Sequence, residues 1–300
     1  MHYPGDRFSM PDGERSTLKR RFRSTHLWRW TTLALGFAIL AAGLRAFWWE
    51  PAGFIVTEER IPLHWAGRGP VRIAILTDLH VGSPFNGPAK LHDVVQRTNA
   101  ARADIICILG DLVIQGVIGG QFVPPEQIAS ELKALRSPAG VFAVLGNHDG
   151  WLDHDRVKRA LEQNGIRVIE ESAVRTQTPA GPLWIAGISD LWTGVHDVRA
   201  AIAAVNDEQP VILLTHNPDV FPDVPARVAL TLAGHTHGGQ VRLPFVGRPV
   251  VPSQFGQRYA AGHVIEDARH LFVATGVGTS ILPVRFRVPP AVTVLTVGPE

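Results

Sequence analysis

Five short sets of residues in this 300-residue chain carry donors that could hold metal ions. They are Asp78-Leu79-His80, Gly110-Asp111, Gly146-Asn147-His148-Asp149, His216, and Gly234-His235-Thr236-His237-Gly238-Gly239-Gln240. Carboxylate, amide and imidazole donors together suit divalent ions such as Mn, Fe and Zn. Two such ions roughly 3.5–4 Å apart can grip a phosphoryl group, supply a hydroxide at neutral pH and neutralise the charge that builds during in-line displacement. A pair of ions needs one carboxylate shared between them. Asp111 is the best placed, because Gly110 before it lets the backbone turn tightly. In an extended His235-Thr236-His237 segment both imidazoles point to one side, so each can serve one ion. In isolation that pair would read as two solvent-facing histidines; the other four sets decide otherwise.

Each set follows directly on a short apolar run, at residues 71–77, 104–109, 141–145, 211–215 and 228–233. Such runs read as buried strands of sheets covered on both faces, and sites in these sheets gather beyond the carboxyl ends of the strands. Five strands would thus deliver their donors to one rim. Helical patterns at 89–101, 125–136 and 155–163 alternate with the early strands, which predicts parallel βαβ units. Later stretches at 174–178, 183–188, 271–274 and 292–297 have fewer helices between them, which predicts a second sheet packed on the first. Residues 50–70 read as a tether holding one edge strand at 54–58. The Pro- and Gly-rich insertion 244–262 follows the last histidine pair and could overhang the site as a lid, or be a plain surface excursion.

The ordered motifs Asp-x-His, Gly-Asp, Gly-Asn-His-Asp, His and Gly-His-x-His, from Asp78 to Gln240, resemble the calcineurin-like metallophosphoesterase superfamily. Further stretches, Leu214-Thr215-His216-Asn217-Pro218-Asp219, Gly238-Gly239-Gln240, Gly276-Val277-Gly278 and Pro283-Val284-Arg285-Phe286, resemble its membrane-anchored bacterial phosphodiesterase-like branch. That branch includes relatives of UDP-diacylglucosamine pyrophosphohydrolases. The resemblance implies an α/β protein with a four-layer α/β/β/α sandwich over residues 71–300, and a hydrolase of phosphodiester or pyrophosphate bonds. It implies Asp78, His80 and His237 on a first divalent ion, Asn147, His216 and His235 on a second, and Asp111 on both. His148 would be a non-ligand that donates to the phosphate or the leaving-group oxygen. Asp149 would orient that imidazole, or else cap a helix. Asn217 is a weaker supporting candidate, and Arg285 would either reach the substrate phosphate or pair with a carboxylate. The chain lacks the Asp-Arg pair that phosphoprotein phosphatases place after Gly-Asp: here the sequence reads Leu112-Val113-Ile114-Gln115. Neither Tyr3 nor Tyr259 stands in a ligand motif, so the ferric tyrosinate of purple acid phosphatases is not expected.

Residues 31–47 hold no charge except Arg45, and Trp28, Trp30, Trp48 and Trp49 bracket them. With these flanks the stretch would come to about 30 Å as a helix, the thickness of a bilayer core, and its tryptophans match interfacial belts. The sequence Leu44-Arg45-Ala46-Phe47-Trp48-Trp49 makes a poor cleavage site, so an uncleaved anchor at 31–49 is favoured over a signal peptide. Arg20-Arg21-Phe22 lacks the remainder of a twin-arginine signal. Arg7, Arg15, Lys19, Arg20, Arg21, Arg23 and Arg29 precede the span, which predicts a cytoplasmic tail at 1–30 and a catalytic domain on the far side of the inner membrane. A net charge of +2, much of its basic excess in that tail, argues against nucleic acid as partner. Cys107 is the only cysteine and no internal disulfide can form. An exported phosphomonoesterase or nuclease, and a non-catalytic metal-binding module, are the competing readings; the full set of donors argues against the last.

Overall fold

The computed structural model describes residues 12–63 and 69–299, with side chains from Trp28 onward. The chain divides into two units, residues 1–45 and 46–300. In the first, α1 (Asp12–Leu44) is a single helix. Chain continuity carries it into a π-helical turn at Arg45–Trp49. One helical stretch, Trp28–Ala52, is long and apolar enough to cross a membrane. The part of the basic tail before Asp12 lies outside the described residues.

The second unit is built on two six-stranded sheets. The first runs β1 (Ile55–Pro62), β12 (Ala291–Gly298), β2 (Val71–Leu76), β3 (Ile105–Leu109), β4 (Val141–Val144), β5 (Arg167–Val168). The second runs β10 (Gly262–Glu266), β11 (Arg269–Val273), β9 (Leu230–Ala233), β8 (Val211–Leu214), β7 (Gly181–Gly187), β6 (Ser172–Thr178). Neighbours β2 to β5 are parallel, as are β11, β9, β8 and β7. The period-2 alternation of strand side chains sorts the core into layers. Ile73, Ile75, Cys107 and Leu109 pack between the sheets against Ile185, Ile212, Leu214 and Leu232. Ala74, Leu76, Ile106 and Ile108 face the other way, onto α2 (Pro88–Ala100), α3 (Pro125–Leu132) and α4 (Asn147–Gln163) through Val94, Ile128 and Val157. On the outer face of the second sheet, Leu213, Ala233 and Val273 meet α5 (Val198–Ile202) and a 3-10 turn carrying Phe221. The layers are helix, sheet, sheet, helix, the last one thin.

Several boundaries differ from those read in the sequence. Residues 292–297 belong to the first sheet, not the second: β12 inserts between β1 and β2, antiparallel to β2. Alternation fixes which face of a strand is buried but not which sheet receives it. The edge strand expected at 54–58 is β1, the edge of the first sheet; it runs on to Pro62 and pairs along its whole length with β12. The helix expected at 155–163 starts at Asn147 and kinks at Asp153, where φ is −178°. Its first turn carries polar site residues, which hid the helical period.

Candidate metal centre

The donor sets meet at the carboxyl ends of strands from both sheets: β2, β3 and β4 of the first, β8 and β9 of the second. After β2, β3 and β9 the backbone delivers them by turning left-handed. Asp78 (φ 49°), His80 (39°), Asp111 (53°), His235 (67°) and His237 (51°) all lie in this region, where Asp and His are among the non-glycine residues most often found. His235-Thr236-His237 is therefore not extended. Thr236 is helical (φ −77°, ψ −16°) and His237 opens a 3-10 turn, so the two imidazoles diverge through backbone geometry and not through strand alternation. Two close approaches need glycine: a β-carbon at Gly146 would run into Asp111 Oδ1, and one at Gly234 into Thr77 Oγ1.

Two groups of donors converge. The donor atoms of Asp78, His80 and His237 lie within 4.8 Å of one another, as do those of Asp111, His216 and His235. Within the first, His80 Nε2 stands 3.2 Å from His237 Nε2 and His237 Nε2 3.4 Å from Asp78 Oδ1. Within the second, His216 Nε2 is 3.2 Å from both His235 Nδ1 and Asn147 Oδ1. A single atom, Asp111 Oδ2, faces both groups, 3.5 Å from His80 Nε2 and 3.2 Å from His216 Nε2. Ligands about 2.0–2.2 Å from a common ion stand roughly 3.0–3.5 Å apart, the edge length of its coordination polyhedron. Asp78 Oδ1 is buried with no hydrogen-bond partner, as expected where a group other than protein completes the site. The residues present fit two divalent ions.

Supporting contacts fix these donors. His80 Nδ1 bonds Val113 O at 3.1 Å and His216 Nδ1 bonds Leu109 O at 2.7 Å, which leaves each Nε2 turned inward. Thr77 Oγ1 donates to Asp78 Oδ2 (2.8 Å), as does the His235 N–H (3.0 Å), and the His148 N–H holds Asp111 Oδ1 (2.8 Å). Burial pushes the Asp78 carboxyl up to about 6, aided by the charge of Asp111. Burial drives His80 down to about 4 and His235 to about 3, so both are neutral. His216 is the exception: burial disfavours its charge, but Asp111 outweighs that and raises it to about 10. Burial would likewise raise Asp111, yet His216 and His80 hold it below the usual carboxylate range.

Three expectations change at this level. Asp149 does not orient His148: one of its oxygens accepts from the Leu112 and Val113 N–H groups (2.9 and 3.3 Å), the other from Gly146 N–H (3.0 Å). It caps α4 and ties the Gly110-Asp111 turn to that cap. Among the described residues Arg285 neither lines the cavity nor forms an ion pair with a carboxylate. It is fully buried, and its guanidinium donates to the carbonyls of His237, Thr275, Gly276 and Gly278 and sits 3.3 Å from His237 Nδ1. Arg285→Ala is accordingly expected to cost about 3 kcal/mol or more, because buried carbonyls lose their donor; an unchanged urea midpoint would rule out this bracing role. Asn217 accepts the Asp219 N–H within its own turn (3.0 Å) and makes no described hydrogen bond to a candidate ligand.

His148 stands beside the first group, its ring 4.8 Å from that of His80 and edge-on to Trp151 at 5.1 Å. Its Nδ1 is buried without a partner, and burial lowers its pKa, against the opposing charges of Asp111 and Asp190. Sequence reasoning missed Asp190, Trp151 and Trp192, which no motif flagged. Asp190 is buried after β7, with one oxygen accepting from Trp192 N–H, Thr193 N–H and Thr193 Oγ1 and the other unpartnered. Trp151 and Trp192 stack at 6.0 Å, and Trp192 meets the His235 ring at 4.5 Å. With Val250, Ile281 and Leu282 they line a cavity of about 750 Å³ that opens from Asp111, Asn147, His148, His235 and His237. Insertion 244–262 supplies part of this wall through Pro249, Val250 and Pro252. It is pinned where Ser253 Oγ and the Gln254 N–H donate to Asp219.

The family model for calcineurin-like phosphoesterases matches residues 71–239. The chain belongs to this family of metal-dependent phosphoester hydrolases. It is 32% identical to the phosphodiesterase YaeI of Escherichia coli, over 82% of this chain and 89% of that one. It is 30% identical to the metallophosphoesterase YkuE of Bacillus subtilis, over 82% and 86%. A Danio rerio transmembrane protein with a metallophosphoesterase domain is 26% identical over 77% of this chain, which spans about half (53%) of that relative.

Proposed function

We propose that this chain is a membrane-anchored, two-metal phosphodiesterase that hydrolyses a phosphodiester or pyrophosphate bond in an amphiphile, lipid-linked or nucleotide-linked. The observation that carries the reading is the junction of a two-part donor cluster, shared through Asp111 Oδ2, with a large and mainly apolar cavity. Asp78, His80, His237 and Asp111 would hold one ion, and Asn147, His216, His235 and Asp111 the other. Bound there, the ions supply charge neutralisation for the phosphoryl group and a nucleophile at neutral pH. The chain's own residues do the rest. His148 holds a proton for the leaving-group oxygen, the Trp151–Trp192 pair and Leu282 receive the apolar part of the substrate, and Asp149 keeps the Asp111 turn in register.

For topology we retain the charge rule: seven basic residues before the apolar stretch keep the tail in the cytoplasm and send residues 50–300 across the inner membrane. A nucleotide-linked lipid precursor of the UDP-diacylglucosamine type would meet the site only from the cytoplasmic side, so topology and substrate must be tested together. Full-length protein with Mn²⁺, Fe²⁺ or Zn²⁺ should hydrolyse a bis-aryl phosphodiester and a lipid phosphodiester faster than a monoester. A monoester preference would favour the phosphomonoesterase reading, and no hydrolysis with any ion would favour a binding module. A reporter active only outside the cytoplasm, fused after Glu300, should score positive. A cytoplasmic signal would overturn the orientation and favour the UDP-linked glycolipid.

A further inference from the structure

Large apolar side chains stand in the open on the loops that follow β2, β9 and β11, at positions where the local backbone does not ask for them. Phe85, Phe245 and Ile281 have φ of 64°, 64° and 62°, the left-handed region that glycine or asparagine enters more cheaply and that is a true outlier for a β-branched residue. Yet Phe245 is wholly exposed, Ile281 is 70% exposed and Phe85 40%. Neither core packing nor turn chemistry explains a phenylalanine or an isoleucine there. Such strained, exposed residues point outward to something the chain itself does not supply.

The loops that bear these side chains are joined into one rim: the Gln121 N–H donates to Gly82 O (2.8 Å) and the Arg242 N–H to Phe286 O (2.9 Å). The Trp48 ring meets the Phe85 ring at 5.4 Å. The Ile118 N–H donates to Ile281 O (3.0 Å), which joins exposed Ile118 to Ile281. Ile281, Leu282 and exposed Val250 line the cavity. The turn bearing Phe245 is held by Leu243 and Gly247, next to a bridge between Val241 and Phe286. The four segments that build this rim, residues 81–88, 112–124, 239–262 and 276–290, contain no Asp or Glu; they carry Arg242, Arg248 and Arg287, besides Arg285, which is buried, and Arg258, which pairs with Glu266.

We propose that this rim is a bilayer-docking face: its apolar tips enter the lipid surface and its arginines meet anionic headgroups, so that the cavity draws its substrate directly from the leaflet. The proposal rests on the anchor reading above. Covalent continuity selects a bilayer as occupant over a second copy of the chain. The apolar helix ends at Leu44, the carbonyl of Ala46 accepts the Arg285 N–H at 2.9 Å, and Trp48 already belongs to the rim. If α1 is in a membrane, the chain leaves that membrane only a few residues before Trp48, a member of the rim. Aromatic and aliphatic tips with basic residues behind them are the composition of an interfacial binding surface.

Single cysteines placed at exposed positions test this in the full-length chain. Cys107 is buried and burial pushes its thiol up, so it does not compete for label. Phe245→Cys and Ile118→Cys, with Gln177→Cys as control at the opposite ends of the strands, are labelled with bimane. The protein is reconstituted into phosphatidylglycerol/phosphatidylethanolamine vesicles containing doxyl-labelled lipid. Quenching at 245 and 118 should exceed that at 177 severalfold. Protein that stays with the vesicles but is quenched equally at all three positions overturns the docking face and spares the anchor. Protein released by carbonate overturns the anchor, and the docking proposal with it. Shielding of 245 and 118 only through concentration-dependent self-association, without lipid quenching, assigns the face to a second copy and likewise overturns the proposal.

Discussion

Asp111→Asn is expected to strip metal from the purified protein and to lower phosphodiester turnover by roughly three orders of magnitude or more, about 4 kcal/mol of transition-state stabilisation. The size of the effect follows from one atom. Oδ2 faces both donor groups, so replacing it by an amide removes an anionic ligand from each position at once, whereas loss of any single histidine weakens one group. The fold should survive. Oδ1 of Asp111 takes only the His148 N–H (2.8 Å), a bond that an asparagine oxygen can keep. Metal content by mass spectrometry and turnover of a bis-aryl phosphodiester read the outcome together. Two ions per chain with near-normal turnover would remove Asp111 from the shared position.

Much of this site could be read in the sequence, because its donors sit where short apolar runs stop. Those runs are buried strands, and a strand's end is the one place where a buried sheet meets solvent. What stayed hidden lies in conformations that sequence patterns do not encode. Alternation assigns Leu295 and Val297 to a buried face but cannot tell that β12 inserts beside β2. The spacing His-x-His suggests a shared face in a strand, yet the left-handed backbone at both histidines aims them by a different route. Charge near a motif invites a catalytic or substrate role for Asp149 and Arg285, beside the helix cap and the ion pair that their residue types equally allow. Both instead satisfy backbone groups behind the ligands, Asp149 accepting N–H groups and Arg285 donating to carbonyls. A buried charge with several backbone partners looks the same in sequence as a charge turned toward substrate. Trp151 and Trp192 lie outside every donor set, and only their convergence over His148 and His235 gives them a place at the cavity.

His148→Ala should retain two ions per chain and lose roughly 10²–10⁴ in rate, the range for a positioned proton donor. Retention of metal is expected because the contribution of His148 to Asp111 comes from its backbone N–H, which alanine keeps. The imidazole also lies within 4.8 Å of donor atoms of His80 and Asp111, so geometry alone would permit a ligand role, and metal content separates the two. Burial lowers the pKa of this imidazole while Asp111 and Asp190 oppose the shift, and its ring is held between those of His80 and Trp151. A group so placed can pass a proton to an oxygen leaving toward the cavity. If that is its task, the loss must depend on the leaving group. It should be largest for an alkyl or sugar alcohol, which needs the proton, and shrink toward none for a nitrophenol, which departs as the anion. Turnover measured across a series of leaving groups should therefore give a steeper dependence on leaving-group pKa in the variant than in the parent. Parallel lines, with both ions retained, would assign His148 to holding the phosphate instead, and loss of one ion would make it a ligand.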